Sequence, residues 1–166
     1  MCIKAKKRYI NPSTNKINEK ALKLDAVSLP LRHQNYKDFR NSFGSGNHYN
    51  TEFKGYELHI DLSYAYRHFK NNTYSENREY LNSSLLETIK DPLIVIKDTY
   101  QGKKAITFYK PFISNSQVVH LAMHKAIENV VTGVYTFKTI FTVTSLDKVF
   151  DIVNTLDLNT IYFKFN

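Results

Sequence analysis

The sequence predicts an α+β domain: N-terminal helices packed on a four- or five-stranded antiparallel sheet, then a late helix and a final strand. Three observations carry this. Tyr80, Leu81, Leu85, Leu86 and Ile89 recur at helical spacing. After Pro92 the period changes to two and stays there through Thr144. Helical patterns come first and strands follow in a run, with no internal repeat.

Residues 17–27 have the pattern of a short helix, with Asn15 or Asn18 as its cap. Pro30 interrupts it, and residues 42–47 (Ser-Phe-Gly-Ser-Gly-Asn) form a break. Residues 55–60 have the pattern of a short strand, and 61–69 that of a helix capped by Asp61. Thr73 and Glu76 match a capping box at the start of the next helix. Asp91-Pro92 stops that helix. Residues 93–97 form a strand whose apolar run, 93–96, is unbroken, a turn follows at Gly102, and 104–113 alternate. Residues 118–127 and 130–144 form a hairpin turning at Glu128-Asn129. In it, Val119, Leu121 and Met123 make the core face and leave His120 and His124 facing outward or toward a cleft. A helix over 118–127 is the competing assignment, and it too puts both histidines on one face. On the second strand Val134, Thr136 and Lys138 share one face, and Tyr135, Phe137 and Thr139 the other. Ser145 caps a last helix with Val149, Ile152, Val153 and Leu156 inward, and 160–165 close as a strand.

A chain of 166 residues fits one domain. Its net charge of +8 is uneven: residues 1–50 hold 10 Lys/Arg against 3 Asp/Glu, and residues 51–166 hold 13 against 12. Residues 1–50 therefore form a basic arm or linker and 51–166 the folded body. Such an arm suits a polyanion such as RNA, or equally a solvated linker. Cys2 is the only cysteine, which excludes an intrachain disulfide and a cysteine-built zinc site. No apolar run approaches the ~18 residues of a membrane span, and no secretory signal is present, so a cytoplasmic protein is expected.

Six histidines dominate the chemistry: His33, His48, His59, His68, His120 and His124. His120 and His124 have the spacing of a metal pair, but the zinc-protease pattern needs a Glu directly after the first, and Leu121 stands there. No cofactor is expected. Gly44 and Gly46 lack the strand and the Gly-Lys-Ser/Thr of a phosphate loop. No Gly-x-Ser-x-Gly elbow exists for a nucleophilic serine. Metal-free RNA cleavage needs less: a base, an acid, and donors for the charged phosphorane. Histidine suits the first two roles, and lysine, tyrosine and threonine the third. The candidate catalytic residues are His59, His68, Thr136, Lys138 and, in reserve, His120. The candidate RNA contacts are Lys104, Lys110, Tyr135 and His124.

Residues 59–68, 86–96, 104–109, 118–121 and 133–139 together resemble the phage-borne group of barnase–EndoU–colicin–RelE-like nucleases. The resemblance covers about 51–166. It implies a compact α+β body, metal-independent RNA cleavage by a toxin or effector, and a possible immunity or antitoxin partner. By position His59 and His68 match histidines of that group's front helix, and Thr136 its hydroxyl-bearing strand residue. The group's glutamate base has no counterpart, so base and acid stay open. The alternative is a non-catalytic RNA- or protein-binding module of a mobile element.

Overall fold

The computed structural model describes residues 3–70, 78–115, 117–155 and 159–166, and their side chains except at Ile3 and 117–123. Thr73, Glu76 and Leu156, named above for a capping box and a core face, lie outside the described residues. The elements run α1 (Ile3–Tyr9), β1 (Ile10–Asn11), β2 (Lys16–Ile17), α2 (Glu19–Asp25), β3 (Val27–Ser28) and α3 (Tyr36–Ser42). Then come β4 (His48–Phe53), β5 (Tyr56–Asp61), α4 (Leu62–Lys70), a 3-10 turn (Glu79–Leu81) and α5 (Ser84–Lys90). Strands β6 (Ile94–Tyr100), β7 (Lys103–Ser114), β8 (Gln117–Glu128) and β9 (Tyr135–Val143) precede α6 (Leu146–Asn154) and β10 (Thr160–Phe163).

The α+β class holds, but the sheet is larger than expected and mixed. Its order is β10-β6-β7-β8-β9-β5-β4, with β3 also paired to β7, eight strands in place of four or five. Two pairings are parallel, β5 with β9 and β3 with β7; the others are antiparallel. The sheet curls until its two edge strands meet. Phe53 of β4 packs edge-on against Tyr162 of β10 at 5.3 Å, and against Phe108 at 5.4 Å.

Two cores follow from the alternation of strand side chains. The concave core joins Leu58, Ile60, Val95, Phe108, Phe137 and Ile140 to Leu62, Ala65, Phe69 of α4 and Leu85, Ile89 of α5. The second core joins Ile94, Tyr109, Val143 and Phe163 to α1, α2 and α6. Residues 3–50, expected as an arm or linker, supply Phe39 to the first core and Ala5, Tyr9 and Leu22 to the second. Asn82 further ties this segment down, its side chain bonding both the backbone N–H and the carbonyl of His33.

Two of the expected helix caps bond as their chemistry dictates, while Ser145 precedes α6 without a side-chain cap bond. Asn18 caps α2 by accepting from the Ala21 N–H, and Asp61 accepts from the Tyr64 N–H. The turn after β8 is longer than Glu128-Asn129. Asn129 accepts from the N–H groups of Val131 and Thr132, so Val130 and Val131 stand exposed in a loop rather than in β9. Among the described residues no helix is long and apolar enough to cross a membrane.

Candidate active site

The β4–β5 hairpin is joined by Lys54 and Gly55, both at positive φ (50° and 86°), the two-residue turn whose twist matches paired strands. That turn fixes the register: Phe53 faces Tyr56, Asn50 faces His59, and His48 faces Asp61. Leu58 and Ile60 point into the concave core, so His59 points out of it. Its Nδ1 lies 2.6 Å from Asn50 Oδ1. A carbonyl oxygen only accepts, so Nδ1 carries a proton, and in the neutral ring the lone pair is on Nε2. The exposed His48 ring stacks on the His59 ring at 5.2 Å and 23°. On the other side, parallel pairing sets Thr136 of β9 directly beside His59. Two imidazoles and a hydroxyl therefore share one outward strip of the sheet.

His68 is elsewhere. It sits on α4, packs edge-on to Phe137 and stacks on Tyr64. Its Nε2 is 2.9 Å from Thr139 Oγ1 and 3.3 Å from Arg78 Nη1. A guanidinium has no acceptor, so Nε2 is bare there and the ring is neutral. Burial first, then the charges of Arg78 and Lys138, hold its pKa below the usual histidine range. Phe137 and Thr136 lie on opposite faces of β9, so His59 with Thr136 and His68 with Thr139 are separated by the sheet. Helix α4 does meet β9, but through Thr139, not Thr136. Lys138 is exposed at a bulge where Ala126 faces Phe137 and Lys125 faces Thr139. Its Nζ lies 5.9 Å from the Tyr64 ring, nearer His68 than the outward pair would require.

Two RNA-contact assignments, His124 and Lys110, are corrected, and a third, Tyr135, is narrowed to its ring. His124 is 1% exposed, among Phe69 and Phe137, because its pairing with Phe108 and Ile140 places it on the helix-covered face. Ser84 gives its only hydroxyl proton to the Leu81 carbonyl, so His124 Nε2 donates to Ser84 Oγ at 3.2 Å. Lys110 is 4% exposed and its ammonium bonds the carboxylate and carbonyl of Asp91. Tyr135 is buried with its hydroxyl donating to Glu128 Oε2, so it presents only a ring. Lys104 is exposed and, with Tyr135, lines a hollow of about 350 Å³. The His120 side chain lies outside the described residues; its backbone belongs to β8.

His48 and Asn50 are functional candidates that sequence reasoning missed. Treating residues 1–50 as an arm hides the alternation of exposed His48, Asn50 and Glu52 with half-buried Tyr49, Thr51 and Phe53. Comparison with family models, with curated proteins and with solved structures gives no match.

Proposed function

We propose that the protein is a metal-independent endoribonuclease whose acid/base pair is His59 and His48. The observation that carries it is the oriented imidazole: Asn50 holds His59 Nδ1–H and leaves Nε2 bare, beside a second imidazole and the Thr136 position. His59 Nε2 takes the proton of a ribose 2′-hydroxyl, whose oxygen attacks the adjacent phosphorus. Protonated His48 gives its proton to the departing 5′-oxygen, leaving a 2′,3′-cyclic phosphate and a 5′-hydroxyl. The Thr136 hydroxyl donates to a phosphate oxygen as charge builds. RNA is then the substrate, and an immunity or antitoxin protein would act by covering the β4–β5 face.

A substrate with a single 2′-deoxynucleotide tests this. Purified protein in EDTA is expected to cut an all-ribose oligonucleotide and to leave a 2′-deoxy linkage intact at the same position. Cleavage of the deoxy linkage would contradict the assignment, since no 2′-hydroxyl is then available.

A second reading, a non-catalytic RNA- or protein-binding module, is favoured by two observations. His68 and His124 serve packing rather than a common cleft. The outward row of the hairpin also carries Glu52 and Glu57, whose charges oppose a phosphate chain. Such a module binds in a salt-dependent way and leaves RNA whole.

A further inference from the structure

The hollow of about 350 Å³ is lined from four strands: Tyr56 from β5, Lys97 and Asp98 from the middle of β6, Lys104 and Ala105 from β7, Tyr135 from β9. One wall is aromatic. Tyr56 and Tyr135 meet edge to face at 5.6 Å, and the bond from Tyr135 to Glu128 fixes that ring. The other wall is cationic. Lys97 and Lys104 are exposed, and among the described residues neither forms an ion pair. Asp98 does not cancel them, because its carboxylate is matched by Lys125 Nζ at 2.6 Å and also accepts from Thr107 at 3.1 Å.

A hollow lined by two tyrosine rings and two exposed lysines is complementary to a planar heterocycle joined to a phosphate. We propose that this hollow binds a ribonucleoside 5′-phosphate unit, with the base against Tyr56 and the phosphate between Lys97 and Lys104. The site is distinct from the His48–His59 strip and does not depend on RNA being cut.

Calorimetric titration of the full chain tests it, with AMP, adenosine and inorganic phosphate as separate ligands. AMP is expected to bind in the micromolar-to-millimolar range, with adenosine and phosphate each at least about tenfold weaker, since each makes only one set of contacts. The exposed double variant Lys97→Glu/Lys104→Glu should lose about tenfold or more in AMP affinity with an unchanged circular dichroism spectrum. Tyr56→Ala should lose about tenfold through the missing stacking face. His59→Ala should leave AMP binding unchanged, so a failed pocket and a failed nuclease are read apart. An uncleavable 2′-O-methyl RNA tetramer identifies the source: tighter binding than AMP, with mutual competition, assigns the site to an RNA chain, and weaker binding assigns it to the free nucleotide. AMP binding absent at millimolar concentration, equal to that of phosphate alone, or untouched by the double charge reversal would overturn the proposal.

Discussion

His124 sits among Phe69 and Phe137 with Nδ1 lacking any hydrogen-bond partner among the described residues. Burial pushes its pKa down to about 3. The unfolded chain takes up a proton near the ordinary value of 6.5 and the folded chain does not, so the unfolded state binds more protons between those pH values. Stability therefore falls on acidification from pH 6.5 toward 3 and is restored as pH rises. At pH 5 the loss from this residue is about 2 kcal/mol. His33 and His68, also lowered, act in the same direction. Urea unfolding at pH 7 and pH 5 checks this: the wild type should lose midpoint between the two, and His124→Leu should lose measurably less. An identical shift in both would show that His124 does not carry the slope. The sequence gives the same letter for His59 and His124, and strand alternation alone cannot say which face is covered. At 117–128 the row of Val119, Leu121 and Met123 misleads, because this sheet has a packed layer on each face.

The β4–β5 hairpin was within reach of sequence reasoning at the level of the element. A two-residue turn at Lys54-Gly55 fixes every cross-strand pair, Asn50 with His59 included. Gly55 takes φ of 86°, which a β-branched residue adopts only with strain. Gly55→Val should cost about 1–2 kcal/mol and reduce RNA cleavage by disturbing the Asn50–His59 pair, read by thermal melts and cleavage rates together. A melt lowered with cleavage unchanged would place the chemistry off this hairpin. A different element shows the limits of residue type. Lys110 reads as an alternating strand lysine, yet it is buried against Asp91, which Lys164 of the C-terminal segment also contacts. Asp91→Ala strips the carboxylate from a buried ammonium and should cost about 1–2 kcal/mol, less than for a fully buried pair because water reaches Asp91. Lys110→Met, which removes the charge and keeps the length, should cost less. Equal losses in denaturant titrations would show that packing rather than charge sets the effect.

At the scale of the whole molecule, helix and strand order is legible from the change of period near Pro92, and the α+β class follows. The strand count is not. β3 has only two residues, too short for a periodic signal, and β4 lies across the boundary drawn between residues 50 and 51. The parallel pairing of β5 with β9 joins residues more than seventy apart, and no local pattern encodes it. That pairing decides the candidate site, since it brings Thr136 to His59 and leaves His68 on the far side. The basic character of residues 1–50 is likewise legible as charge, but the burial of Tyr9 and Phe39 shows that this segment is part of the folded body.

One side-by-side assay tests the claim that catalysis belongs to the outward imidazole pair. Wild type, His59→Ala and His68→Ala are incubated with RNA in EDTA, with circular dichroism confirming the fold of each. Wild type and His68→Ala should both cut, while His59→Ala should lose about 10²-fold or more in rate, the contribution of a positioned general base. RNA left whole by the wild type, or cut equally well by His59→Ala, would contradict it.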